Sequence, residues 1–315
     1  MVGETGLEPA TSRPPAVCAT NCATPRLKQK NIMKFISYHK KVYNVETEKN
    51  MTSLIESNIS PQNLRQSIRE GKFCKPTSGF SPGHIQTNVA ILPKQYAFDF
   101  LLFCQRNPKP CPLIEVLEPG EFEAKITAPG SDIRTDVPLY RVYTNGTLSD
   151  ETQNIQNLWQ DDYVTFLLGC SFSFETALIN NGIKLSHIDN CTNVSMYITN
   201  IPTTPSGVFS GPLVVSMRSI PSDLVVRSVQ VTSRFPDVHG SPIHIGDPKQ
   251  IGISDLSSPD FGDPPEIHSG ETPVFWACGV TPQSVAMNSK PSIMITHSPG
   301  HMFVTDKKDE DYSIL

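Results

Sequence analysis

The chain has 315 residues, with 26 Lys and Arg against 31 Asp and Glu, a formal net charge of −5. That balance excludes a protein whose affinity rests on phosphate backbones, which needs clustered basic side chains. A hydrophobic share of 38% with 28 prolines excludes fibrous and coiled-coil chains, yet leaves enough apolar residue to bury a core with many turns around it. At this length a split into two domains is expected.

The eight cysteines lie at 18, 22, 74, 104, 111, 170, 191 and 278. No CxxC pair occurs among them, which argues against a zinc ribbon or a thioredoxin-type redox site. The N-terminus lacks the basic start and continuous apolar stretch of a secretory signal. Tyr96 to Cys104 and Tyr163 to Cys170, the longest apolar stretches, fall far short of the ~20 residues of a membrane span. A soluble, cytoplasmic protein with reduced thiols and no membrane or nucleic-acid partner is expected.

In chain order, residues 1–32 carry no helical or strand periodicity and few large apolar side chains, so no fold is expected there. The segment also resembles a read-through peptide from a start assigned too early, with Met33 or Met51 as the natural start. Leu54 to Arg69 reads as helical, and Pro61 fits the first turn of a helix beginning after Ser60. Lys75 to Pro93 reads as a Gly- and Pro-punctuated loop running into a short apolar segment. Gln95 to Arg106 reads as a buried helix stopped by Asn107-Pro108, because the residue before a proline avoids the α region.

Pro112 to Val116 and Tyr140 to Tyr143 read as strands. Val164 to Gly169 reads as a strand that passes through CSFS into a helix from about Phe174 to the cap Asn181-Gly182. Between 183 and 250 the character turns strand-rich, with runs at Val194 to Thr199, Leu213 to Met217 and Leu224 to Thr232. TPVFWACG then reads as a buried strand, VTPQSVAMNS as turn plus helix, and PSIMITHSPGH as strand plus loop.

The fold expected is α/β: a mixed-sheet α/β domain built from 52–182 together with 251–306, with a smaller, strand-rich α+β domain of 183–250 inserted in the middle of the chain. A C-terminal tail is expected over 307–315.

Chemistry-bearing residues sit in loops at the ends of apolar segments, where rigid elements position binding groups. Cys170, Ser171, Ser173 and Glu175 share one strand-to-helix junction, whose backbone N–H groups favour an anion. Helix capping by the serines and burial of the thiol account for the same residues without catalysis. Arg106 with Asn107, Asp132 with Arg134, and Arg218 are candidate holders of a carboxylate, which arginine grips through two parallel hydrogen bonds. Surface ion pairing is the ordinary fate of such arginines, and Asp132 and Asp136 flank Arg134 closely enough to pair with it.

His239 and His244, and His297 and His301, are proton-transfer candidates, because a neutral imidazole titrates near pH 7. Proline or glycine interrupts both pairs, so no helix holds them on one face as a metal motif requires, and no metal is expected. Neither GxGxxG nor GxxxxGK[ST] occurs, and no cofactor is expected.

Ten strings carry a family resemblance. They are Arg69 with Gly71 and PTSGFSPGHIQTN, FCQRNPKPCPLIEV, SDIRTDVPLYRVY, GCSFSFETAL, NVSMYITN, FSGPLVVSMR, FPDVHGSPIHIGDPKQIGI, PDFGD, ETPVFWACGVTPQ and ITHSPGHMFVTD. Over about residues 52–306 the chain resembles the D-glutamate cyclase family, whose bacterial members are labelled hydro-lyases. The resemblance implies an α/β domain with a second α+β domain, and a lyase interconverting D-glutamate with 5-oxo-D-proline and water. The alternatives are a dehydratase for another small hydroxy or amino acid, or a non-catalytic binder of a small carboxylate.

Set against that reaction, Ser171, Ser173, Glu175, His297, His301 and Cys170 are the catalytic candidates. A donor or packing role is expected for Cys170, since the substrate amine is itself the nucleophile. Arg106, Asn107, Asp132, Arg134, Arg218, His239, Thr281 and Gln283 are the substrate-binding candidates. The partner expected is a small-molecule carboxylate, with a homo-oligomer left open.

Overall fold

A computed structural model describes residues 58–314, which belong to one compact unit. The expectations for residues 1–32, and for the part of the first helix before Asn58, lie outside the described residues. Helix α1 (Pro61–Arg69) begins where its sequence signals placed it: Ser60 accepts a hydrogen bond from the Asn63 amide and Pro61 opens the first turn. Its Leu64 and Ile68 pack on Val304, and Arg65 pairs with Asp306 at 3.0 Å.

Seven strands build the larger sheet: β1 (His84–Pro93), β2 (Leu113–Val116), β3 (Tyr140–Thr144), β4 (Thr147–Thr152), β5 (Tyr163–Gly169), β10 (Ile293–His297) and β11 (Phe303–Lys308). Their order is β2-β5-β1-β10-β3-β4, and β11 also pairs with β1. Every strand pairing in the described residues is antiparallel. Alternation along β1 sends Val89 and Ile91 into one core and Ala90 and Leu92 into another, the period-two pattern of a strand buried on both faces. The first core is closed by loop residues such as Ile133 and Ile155. The second is closed by helix α2 (Lys94–Arg106), through Phe100 and Phe103, and by helix α6 (Thr281–Ser289), through Val285 and Ala286.

One edge of β1 is shared. Its His84–Thr87 half pairs with β11 and its Ala90–Ile91 step pairs with β10. The loop Ser298–Met302 leaves the sheet between them, and the His297 imidazole fills the gap by accepting the Val89 amide at 3.1 Å.

The smaller sheet, in the order β6-β7-β9-β8, contains β6 (Ser195–Pro202), β7 (Pro212–Pro221), β8 (His244–Ile245) and β9 (Glu271–Ala277). Three of these strands fall within the strand-rich stretch 183–250, and β9 comes from beyond it. At the C-terminus, β11 runs to Lys308 and a 3-10 turn covers Asp309–Tyr312, inside the stretch expected to be a tail.

The run Leu224 to Thr232, expected as a strand, is helix α5 (Val225–Thr232). Its valines disfavour a helix by only a few tenths of a kcal/mol each. In return the helix buries Val231 beside Phe235 and Trp276 and gives the Trp276 indole N–H a partner in the Thr232 hydroxyl at 3.1 Å. Tertiary burial outweighs local preference here. The half-exposed Leu101 and the exposed Phe98 also show α2 to be buried on one face only.

Candidate active site

The junction after β5 forms a 3-10 turn over Ser171–Phe174 and then helix α3 (Glu175–Asn180). Glu175, the first residue of α3, is 2% exposed. Opposite it, alternation along β7 turns Ser216 and Arg218 toward α3. The Arg218 guanidinium lies 5.5 Å from the ring centres of Phe174 and Trp276, an aromatic setting that favours a cation.

Glu175 gathers four hydrogen bonds. Oε1 accepts from Arg218 Nη2 at 2.5 Å, Arg218 Nε at 3.2 Å and His187 Nε2 at 2.9 Å, while Oε2 accepts from Ser78 Oγ at 2.9 Å. Burial works against ionisation of this carboxyl, but His187 and Arg218 outweigh it and hold its pKa below the usual range. Arg218 also donates to Ser171 Oγ at 3.1 Å and Ser216 Oγ at 3.2 Å. With four of its five N–H groups engaged, one on Nη1 remains.

His187, on the short helix α4 (Ser186–Asp189), commits Nε2 to Glu175. In the neutral ring, a carboxylate on one nitrogen fixes the tautomer and leaves the other, Nδ1, as a lone-pair acceptor. His187 and Arg218 together line a cavity of about 280 Å³ with Asn190, Asn193, Ser195 and Ser219. Asn193, on the cavity wall, also holds the loop after β10, its Nδ2 donating to the Pro299 carbonyl at 3.0 Å. Gly300 (φ +84) makes that approach feasible, since a Cβ there would lie 2.3 Å from Asn193 Oδ1. Thr77 holds the same loop from the other side through the Gly300 carbonyl and the Met302 amide.

Among the residues singled out from sequence, Ser171, Glu175 and Arg218 are therefore in direct contact. Ser173 exchanges hydrogen bonds with the Gln86 backbone. Cys170 sits in an apolar cluster with Val214, Cys278 and Met302, where burial pushes its thiol pKa well up; it is not a thiolate at neutral pH. Thr281 donates to the Cys278 carbonyl at 2.7 Å, and Gln283 joins the Tyr143 hydroxyl to the His297 carbonyl.

The remaining candidates are engaged elsewhere. Arg106 donates to the Pro205 carbonyl, Asn107 ties the end of α2 to Thr204, and Arg134 pairs with Asp132 at 2.8 Å while stacking on Phe122. Asp136 pairs with Arg69. The Nδ1 atoms of His239 and His301 lie at the Lys109 and Pro299 carbonyls, and His244 Nε2 lies at the Asp247 carbonyl. His187 and Ser78 escaped the sequence reading: His187 belongs to none of the quoted strings, Ser78 was not singled out within PTSGFSPGHIQTN, and only the fold brings them to Glu175.

His297 is 1% exposed, and burial lowers its pKa to about 3; His239, equally buried, is lowered to about 4. Both are neutral at pH 7. A histidine whose folded pKa lies below its unfolded value stabilises the fold above about pH 6.5, and that contribution is lost as the pH falls from there toward the folded value. Stability measured by denaturant titration should thus decline from pH 6.5 to 4. His297→Gln should flatten the slope by up to ~1.4 kcal/mol per pH unit; an unchanged slope would show that His297 does not titrate in this way.

An α/β protein with a charged, small-molecule-sized cavity is the class that fold and site define. Comparison with known proteins is consistent with that class. The family model for D-glutamate cyclase matches residues 164–306. A protein of Geobacillus kaustophilus is 62% identical over 257 residues, 82% of this chain and 98% of its own. Proteins of Bacillus subtilis and Stutzerimonas stutzeri are 59% and 58% identical over 257 residues, again 82% of this chain and 100% and 97% of theirs. All three bear the name "Putative hydro-lyase". The crystal structure of a nitrogen repressor-like protein from Methanococcus jannaschii covers 80% of this chain at 9% identity and a TM-score of 0.35, too remote to carry an argument. The chain belongs to the D-glutamate cyclase family.

Proposed function

We propose that the protein is a hydro-lyase that interconverts D-glutamate with 5-oxo-D-proline and water. The observation that carries this reading is the buried Glu175–Arg218–His187 cluster on a cavity of about 280 Å³, a size suited to a five-carbon acid. Family membership and the names of the relatives support the lyase class.

Ring closure forms a C–N bond between the α-nitrogen and the γ-carboxyl carbon and breaks one C–O bond. Both protons of the departing water originate on the α-ammonium. In this reading His187 Nδ1 accepts the first of them, freeing the amine to attack, and the imidazolium so formed is stabilised by Glu175. The guanidinium of Arg218 and its remaining N–H face the negative charge that develops on the tetrahedral oxygen. His187 delivers that first proton to one γ-oxygen, takes the second from the ring nitrogen, and passes it to the hydroxyl so formed, which leaves as water. Ser171 and Ser78 keep Arg218 and Glu175 in register and do not touch substrate.

Incubation with D-glutamate, L-glutamate and both 5-oxoproline enantiomers, followed by chiral chromatography, tests the reading. Interconversion confined to the D pair is expected. Absence of turnover with all four over a pH series removes the reaction, and binding without conversion assigns the cavity to a carboxylate-binding protein.

A further inference from the structure

A second cavity, of about 470 Å³, is lined by residues that the proposed reaction does not use. Its walls bring together the end of α2, the segment Pro108–Leu113 and the loop from Ser233 to Ser241. Cys104 and Cys111, both buried, give it an apolar floor. Two opposite charges line it, Lys109 and Asp237. They form no ion pair with each other or with any other described residue. Lys109 Nζ donates once, to Ser241 Oγ at 2.9 Å, which leaves two of its three N–H groups.

The backbone fixes this arrangement. His239, left-handed at φ +83, meets the Lys109 carbonyl with Nδ1 at 2.8 Å. A carbonyl only accepts, so Nδ1 carries the proton, and the bond pins the Lys109 main chain to the loop that carries Asp237. The same loop rests on the end of β5: a Cβ at Gly169 would lie 2.2 Å from the Asp237 carbonyl oxygen. Two unpaired opposite charges held apart by a cavity match a ligand that carries both charges itself. A simple anion would meet Asp237 unfavourably, and a simple cation would meet Lys109.

We propose that this cavity binds a free α-amino acid as its zwitterion, the carboxylate on Lys109 and Ser241 and the ammonium on Asp237. Lys109 is half-buried, and its partial desolvation, which also lowers its pKa, strengthens the pull on a carboxylate relative to a fully hydrated lysine. An occupant would touch the loop packed against Gly169, two residues before the turn that carries Ser171; that link to the catalytic cluster rests on the function proposed above, whereas binding itself does not.

Calorimetric titration of the full chain with glycine, L-glutamate, D-glutamate and 5-oxoproline tests the proposal without requiring turnover. Saturable binding of the amino acids is expected, weakened at least tenfold by Lys109→Gln and by Asp237→Asn and retained in His187→Asn. 5-Oxoproline, which has a carboxylate but no ammonium, should not compete for it. Asp237 is exposed and Lys109 only half-buried, so thermal melts should match the parent chain and confirm that the fold is intact. Absence of amino-acid binding, binding insensitive to both cavity substitutions, binding lost only in His187→Asn, or equal competition by 5-oxoproline would each overturn the proposal.

Discussion

Arg218→Met is expected to cost about 3–5 kcal/mol of folding stability, because it strands the Glu175 carboxylate in the interior without its main counter-charge. For a domain of this size that corresponds to a fall in Tm of roughly 10 °C. The loss has a specific origin: Glu175 is 2% exposed, and Arg218 supplies two of its four hydrogen bonds. If the penalty comes from the stranded charge, the double variant Arg218→Met/Glu175→Met should recover a large part of it, since an apolar pair of similar volume replaces a buried ion pair at little cost. Both variants should lack activity. A loss below 1 kcal/mol in the single variant, measured by urea titration, would show that water reaches Glu175 and that the cluster is not the low-dielectric site described above.

His187→Gln should separate chemistry from stability. The substitution keeps a donor for Glu175 at the Nε2 position but removes the Nδ1 lone pair, so kcat should fall by about 10²–10⁴. KM and the melting temperature should move little. A rate within threefold of the parent, with the fold intact, would transfer the proton-moving role to another group. His301 would be the first to test, because it is only partly buried and sits on the loop bonded to Asn193, a residue of the cavity wall.

The fold was legible wherever chain-local signals and tertiary demands agree. Asn107-Pro108 ends α2, Ser60-Pro61 starts α1, and the Val164 to Gly169 run hands over to a polar turn and a helix as its residues indicate. Strand β1 was half hidden, because Gln86, Thr87 and Asn88 interrupt its apolar run. All three are buried; Gln86 is satisfied by the preceding loop at Thr77, and Thr87 and Asn88 by hydrogen bonds to residues far along the chain. Strand β4 offered nothing to read, being almost wholly exposed and polar. At the site, the junction motif pointed to Ser171 and Glu175, and Arg218 stood out at the end of an apolar strand. Their union with His187 was not readable, because a contact between residues twelve and forty-three positions apart in sequence has no local signature. Arg134 shows the converse: beside two aspartates, its fate as a paired surface cation was already written locally.

The shared edge of β1 has a consequence for how mutations combine. The five residues Ser298–Met302 bridge two strands but are fastened largely by side chains from elsewhere, Thr77 and Asn193, with His297 closing the gap at Val89. Once one fastening is cut the loop is already loosened, so cutting a second removes less than it would alone. Pairs drawn from Thr77, Asn193 and His297 should therefore show epistasis even though they lie far apart in the chain. Drift at any one of them changes the selective weight on the other two, tying the N-terminal loop, the smaller sheet and the last strands of the larger sheet into one evolutionary unit.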